Sequence, residues 1–474
     1  MCVFLTSAYM APSVVAETKA ELTIYQVMQR VIDRYPSLKI SEMEVAQAAE
    51  QRQQVESNLG WILNSTAGVT HDLTGLGTPS DRLDVNASIA RKLKSGGTLS
   101  LSGGYRYEDS SLTFSPDLPN PAHTTKLDLS YRLPLSQGQG NPLYAEGLIS
   151  ADAGYELAKA NQLLTQITLA EKVKDLFYSS ALTQARLDNA KQAVQRAKKL
   201  QVYINKNVKL GLSEKKDQLQ VQAQVHSKLA ELSTIQLQWK QQQNSLNRLM
   251  LEEWGSDIQP VLISDKTQPY DLLDLINMTA AYHPAVKISQ AKLEIAESKI
   301  NSARDDKKDN LDLVMSVGSR TSDGKSTTST VSERDWAGAV TIEYKHLFDD
   351  KGVSSKYKQA QIEKNIALQN IHKTNDDIKY TVSDLVAENR SAMLSVETAF
   401  QKLKSESLKL KEAEYRYRNG RADTAQLIQF QNEFSFAQLE YQKQKIDLNN
   451  RKISLQIFTG QFWREIIAQH GVKK

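Results

Sequence analysis

Two periodicities alternate along this chain. From about residue 143 to 207, without a proline, apolar residues recur at steps of three and four through Leu164, Ile167, Ala170, Val173, Phe177, Ala181, Ala190, Val194, Ala197, Leu200 and Ile204. That spacing predicts one amphipathic helix, about 95 Å long at 1.5 Å per residue. A second helix is predicted over 214–253, where Val225, Leu232, Trp239 and Leu246 stand one heptad apart, as a coiled-coil seam requires. Its opposite face carries Gln220, Gln224, Gln238, Gln241, Gln242 and Asn244. Proline-free runs of the same kind return at 353–417 and 424–465. Elsewhere the period falls to two. Leu127, Leu129, Tyr131 and Leu133 alternate with Lys126, Asp128, Ser130 and Arg132, and Leu99, Leu101, Tyr105 and Tyr107 with Thr98, Ser100, Ser102 and Arg106. The stretches 83–90, 311–317 and 336–345 repeat the pattern, the last with Trp336, Val340, Ile342 and Tyr344 on the apolar side. These are strands with one greasy and one wet face. A soluble sheet over a core alternates in the same way. Aromatics near the strand ends, namely Trp61, Tyr105, Tyr107, Tyr131, Trp336 and Tyr344, point instead to the girdles of a membrane barrel. The polar stretches 108–122 and 319–334 read as exposed turns.

The pattern occurs twice. VIDRYPSLKISEMEVAQAAE around Pro36 and TAAYHPAVKISQAKLEIAES around Pro284 share a Pro-x-x-Lys-Ile-Ser core with a tyrosine just ahead of it. LDLSYRLPL at 127–135 matches VTIEYKHLF at 340–348, and each leads into a long helical run. Two tandem repeats follow. Repeat 1 spans 17–260, with a helix at 20–62, strands within 64–135 and helices at 143–207 and 214–253; repeat 2 spans 261–474, with a helix at 270–308, strands within 310–347 and helices at 353–417 and 424–465. The repeats differ in one respect: the first holds four strand-like segments (65–72, 83–92, 98–108, 125–134) against two in the second, and Lys94-Ser95-Gly96-Gly97 reads as the hairpin turn between its middle pair.

Composition narrows the function. Only 40% of the 474 residues are hydrophobic and the mean hydropathy is −0.47, which suits long helices with a wet face. The net charge of +4 is spread along the chain, so nucleic acid is not an expected partner. Residues 1–16, apolar and ending in Val-Val-Ala, read as a signal peptide lacking its basic leader, with cleavage expected after Ala16. The one cysteine, Cys2, lies inside it. No later stretch approaches the ~18 apolar residues of a membrane helix, so a crossing of the bilayer must be a barrel. The seven histidines show no metal-ligand spacing. Gly138-Gln-Gly140 lacks the third glycine of a nucleotide fingerprint and reads as the turn from strand to helix. Neither catalysis nor a cofactor is expected.

Two glycine turns each end a long helix: VKLGLSEKKD at 208–217 and YRYRNGRADTAQLIQFQ at 415–431. With the paired tyrosine–proline entries and the strand end Tyr131–Leu135, they make residues 20–465 similar to the TolC-like outer membrane factor family. The resemblance implies a mainly α fold with a transmembrane β-barrel section, in which a homotrimer closes the barrel and continues it as a periplasmic α-helical coiled-coil barrel. It also implies residence in the outer membrane of a Gram-negative bacterium, extending into the periplasm. The implied role is the exit duct of a tripartite efflux pump or type I secretion system, working with a periplasmic adaptor (membrane fusion) protein and an inner-membrane pump or ABC transporter. By the same resemblance Gly211, Leu212, Ser213 and Gly420 correspond to the adaptor-docking turns, and Asp217 to an acidic latch of the closed entrance, with Tyr417 and Arg421 near its other side. Plain surface charge is the alternative for this trio. Better-known members carry two aspartates where this chain has Gln426 and Gln429, which implies a polar constriction with weak cation block. The family's barrel has twelve strands; four or six per protomer stays open here. The rival reading is a periplasmic coiled-coil structural or adaptor protein with a small sheet domain.

Overall fold

The computed structural model describes residues 20–73, 79–111, 119–263 and 271–470. The expected signal segment, Cys2 included, lies outside the described residues. The chain forms β1 (Ala20–Leu22), α1 (Ile24–Arg34), α2 (Pro36–Ser57), β2 (Trp61–Leu73), β3 (Pro79–Lys92), β4 (Thr98–Ser110), β5 (Ala122–Pro134), α3 (Pro142–Lys209) and α4 (Lys215–Met250). It continues with β6 (Ile258–Pro260), α5 (Leu272–Tyr282), α6 (Pro284–Asp305), β7 (Asn310–Lys325), β8 (Thr330–Lys345), α7 (Lys351–Arg418), α8 (Thr424–Thr459) and α9 (Gln461–His470). Helix lengths repeat: α1 and α5 have 11 residues each, α2 and α6 22, α3 and α7 68, α4 and α8 36. None of the described helices is long and apolar enough to cross a membrane.

Where single helices were expected over 20–62 and 270–308, each region is divided at its proline. Tyr35 and His283, immediately before Pro36 and Pro284, are extended with ψ of 124° and 131°, because the proline ring disfavours the helical conformation of its predecessor. Proline then opens the next helix, where its missing N–H costs nothing. The helix expected to 465 stops at Thr459, since Gly460 takes a left-handed φ of 77° and turns the chain into α9.

The chain divides into two compact units. Among the described residues, the first comprises 20–41, 162–263, 271–284 and 375–470. In it β1 pairs in parallel with β6, Ala20 opposite Ile258. Ile24, Val27, Met28 and Val31 of α1 are buried among Val173 and Phe177 of α3, Leu246 and Met250 of α4 and Ile453 and Ile457 of α8. Tyr25 stacks on Phe462 of α9 at 5.2 Å. Of the expected heptad seam, Val225 and Leu246 are buried and Leu232 and Trp239 half-buried.

The second comprises the described residues within 42–161 and 285–374 and contains the six long strands described. They form one antiparallel sheet in the order β2-β3-β4-β5-β7-β8. Ion pairs Lys299–Glu363 (3.0 Å) and Lys364–Glu297 (2.9 Å) tie α6 to α7, and Arg52–Asp152 (2.7 Å) ties α2 to α3. The strands outrun the apolar alternation: β7 and β8 extend into the expected turn 319–334, leaving Ser326–Ser329 as their connection. Likewise 108–110 and residue 122 belong to β4 and β5. The expected hairpin turn at 94–97 joins β3 to β4, with Gly96 at φ 90°.

Candidate functional site

The sheet sorts its chemistry by face, and the register shows it. Trp61 is opposite Arg91, Arg91 opposite Leu99, Leu99 opposite Tyr131, Tyr131 opposite Met315 and Met315 opposite Val340. Directly opposed residues share a face, and so do residues two apart on a strand. One face therefore carries Leu63, Val69, Leu83, Val85, Ile89, Leu101, Leu127, Leu129, Leu133, Leu313, Val317 and Ile342. All six aromatics singled out in the sequence lie on it. Trp61 and Tyr131 share one row, with Tyr344 two rows further towards the strand ends that meet α3 and α7; Tyr105 and Tyr107 lie near the other end, with Trp336 just inside them. From the row of Tyr131 to that of Tyr107 is eight residues along β4, about 26 Å of strand and about 20 Å of height at a 40° tilt. That approaches the apolar height of a bilayer barrel. Most of this face has no protein over it: Leu127 is 54% exposed, Val340 73% and Trp336 71%.

The other face is polar. Arg106 meets Asp84 at 2.6 Å, and Arg132 meets both Asp312 and Glu343 at 2.7 Å, so charge is neutralised across β3–β4 and β5–β7–β8. Asp84, Arg106, Lys126, Thr124 and Arg320, from four strands, line one cavity of about 400 Å³ on this face. The β3–β4 turn is fastened at the sheet's end. The Gly140 N–H donates to Ser95 O (2.9 Å) and Asn141 Nδ2 to Leu93 O (3.3 Å). A Cβ on Gly96 would lie 2.1 Å from Gly138 O.

In the first unit the two glycine turns are built alike. Gly211 (φ 74°) and Gly420 (φ 70°) follow their helices, with Leu212 N–H donating to Asn207 O (2.8 Å) and Arg421 N–H to Arg416 O (2.9 Å). Both are Schellman ends, which need the left-handed conformation glycine reaches freely. They lie together: Tyr203 and Tyr417 have ring centroids 6.0 Å apart, over a cluster of Leu200, Ile204, Val221, Leu410, Leu427 and Ile428. Leu210 and Leu212 are exposed at 61% and 73%. Glu214 caps α4, and Asp423 caps α8 by accepting from Gln426 N–H at 2.6 Å.

The expected latch trio is not joined. Asp217 turns back on its own helix, accepting from Glu214 N–H at 3.3 Å. Tyr417 Oη shares a 3.0 Å hydrogen bond with Thr424 Oγ1. Burial pushes the Tyr417 phenol upward, and the charge of Asp217 adds to this while the Thr424 bond opposes it. No ion pair involves Arg421 among the described residues. Gln426 and Gln429 are both exposed, and Gln429 Nε2 donates to Glu433 at 2.8 Å. A tie not anticipated from the sequence is Arg196, which reaches across from α3 to Ser435 Oγ (2.5 Å) and lies 5.5 Å over the Phe434 ring. Burial lowers its pKa and Glu414 opposes the shift. The only hint in the sequence is an arginine beside the apolar stripe of α3.

Solved structures share the fold of the chain. An outer membrane protein from Vibrio cholerae, VceC, matches with a TM-score of 0.69 at 15% identity, covering 92% of this chain and 96% of its own. The Campylobacter jejuni CmeC outer membrane channel matches at 0.67 and 14%, covering 97% and 93%. The fold is that of the TolC-like outer-membrane channels. The open state of the Neisseria gonorrhoeae MtrE outer membrane channel shares this channel fold at 0.66 and 14%, covering 97% and 98%. No family model and no curated protein matches the sequence.

Proposed function

We propose that three copies of this chain form a passive exit duct in the outer membrane of a Gram-negative bacterium, extending into the periplasm as a coiled-coil barrel. Each chain contributes two tandem repeats. The apolar face of the sheet meets outer-membrane lipid, with Trp61, Tyr105, Tyr107, Tyr131, Trp336 and Tyr344 at its borders, and the polar face lines the water-filled passage. The observation that carries this reading is the exposed apolar face, in register across six strands, with aromatics at both ends. In water such a face would be an aggregation site; against hydrocarbon it is stable. The fold shared with solved channels supports the same role.

The paired turns at Gly211, Leu212, Ser213 and Gly420 form the periplasmic tip that meets an adaptor protein, which couples the duct to an inner-membrane pump or ABC transporter for efflux or type I secretion. The exposed Leu210 and Leu212 supply apolar contact there. Asp217, Tyr417, Arg421, Gln426 and Gln429 lie just above the tip and set the entrance, where the Tyr417–Thr424 and Arg196–Ser435 ties brace the helices of each chain. Fractionation tests the reading. The mature chain should need detergent for extraction from outer membranes and run as a trimer before boiling and a monomer after it. Release into the soluble fraction by osmotic shock would refute it.

A further inference from the structure

Among the described residues, both outermost strands of the sheet lack a strand neighbour along one side. β2 is exposed through 61–72, and β8 is exposed at every residue except Val331. Such long apolar edges invite strand pairing. Five antiparallel steps separate β2 from β8, so the two edges run in opposite directions and β8 of one copy can pair antiparallel with β2 of the next.

The register of that seam is constrained. Faces must match, so the offset accumulated per copy is even. The row starting at Trp61 reaches β8 at Val340. With strands about 4.8 Å apart and a rise of about 3.3 Å per residue, six strands offset by six residues tilt by about 35°, by eight about 43°, by four only about 25°. Membrane barrels tilt about 35–45°, which leaves six or eight. An offset of six sets Trp61 opposite His346, one residue past the end of β8, and keeps 62–73 paired with 345–334; eight would leave Trp61 and its two successors beyond the end of β8.

We infer that the edges β2 and β8 close on one another between copies in the register Thr66 opposite Thr341 and Ala67 opposite Val340, giving an eighteen-stranded barrel. This rests on the duct reading above and adds to it the strand count and the seam. On the apolar side Leu63 meets Tyr344 and Val69 meets Gly338, continuing the greasy band around the ring. Asp72 meets Asp335 at the loop end, where water screens like charges. Eighteen strands at this tilt enclose a backbone diameter of about 34 Å, against about 23 Å for twelve.

Disulfide trapping in intact outer membranes tests the register, with Cys2→Ser removing the native thiol. Opposed Cβ atoms lie about 4.5–5.5 Å apart and diagonal ones about 7–8 Å. Under mild oxidation the T66C/T341C pair should convert most of the chain to a covalent trimer that survives boiling without reductant. T66C/E343C and T66C/A339C, each two residues out of register on the same face, should stay monomeric on boiling, as should the single-cysteine variants. Efficient bridging by an offset pair overturns the register. Non-covalent trimers with no bridging by any pair overturn the seam and leave the duct standing. A chain found as a soluble monomer removes the duct itself.

Discussion

Replacing Leu127 by arginine separates a lipid-facing sheet from a water-facing one. Leu127 lies on the apolar face of β5, four residues from Tyr131 on one side and four from His123 on the other, opposite Gly103 and Ser319. Four residues are about 13 Å of strand, or about 10–11 Å of depth from either border at a 35–40° tilt, so Leu127 sits near the midplane. Its side chain is already 54% exposed. If water covers that face, Leu127→Arg exchanges one solvated side chain for another and shifts stability by under about 0.5 kcal/mol. If lipid covers it, the arginine costs about 2–4 kcal/mol per copy, roughly 30- to 900-fold in the folded-to-unfolded ratio at 1.36 kcal/mol per decade. Ser130→Arg, on the polar face beside Ser100 and Ser316, serves as the control and should be near neutral. The assay is the yield of heat-modifiable trimer in outer membranes, followed by urea unfolding of each variant in lipid vesicles. Equal yield and equal unfolding midpoints for Leu127→Arg and the parent would show that the face does not meet hydrocarbon.

Three further outcomes are expected. Gly96→Val should sharply lower trimer yield, because its Cβ would sit 2.1 Å from Gly138 O at a φ of 90°, whereas Gly352→Ala, whose Cβ meets nothing, should not; pulse-labelled assembly measures both. Single channels should show weak trivalent-cation block, and Q426D/Q429D should tighten it at least tenfold; tight block of the parent would remove these glutamines from the constriction. Burial lowers the pKa of His283, so the unfolded chain takes up its proton first as pH falls below about 6.5. The stability His283 lends is thus complete above that pH and declines below it, and His283→Phe, keeping a ring against Phe458 at 4.8 Å, should flatten the fall in Tm between pH 7.5 and 5.5.

The long helices were legible because an apolar stripe over long proline-free runs has one structural meaning. The breaks at Tyr35 and His283 were less so, since the apolar period continues across the prolines. Strand ends were under-read at Arg320, Ser322, Glu333 and Arg334, where the ladder continues after both faces have become polar. Six strand-like segments could be seen in the sequence, but their union could not, because β5 meets β7 across the whole of α3 to α6. Asp217 and Arg421 were placed by position in a motif; the bond that Asp217 makes, accepting from Glu214 N–H at the start of α4, left no trace in that pattern. Arg196 left no periodic trace, since its partner Ser435 lies 239 residues away.

Electron cryo-microscopy of the protein extracted from outer membranes into lipid nanodiscs addresses the duct most directly. Three copies around one axis, with the lipid belt bounded by Trp61, Tyr131 and Tyr344 on one side and Tyr105, Tyr107 and Trp336 on the other and an open polar lumen within, is the expected image. A single copy with Leu127, Val340 and Trp336 packed beneath its own chain and no lipid around the sheet would contradict it.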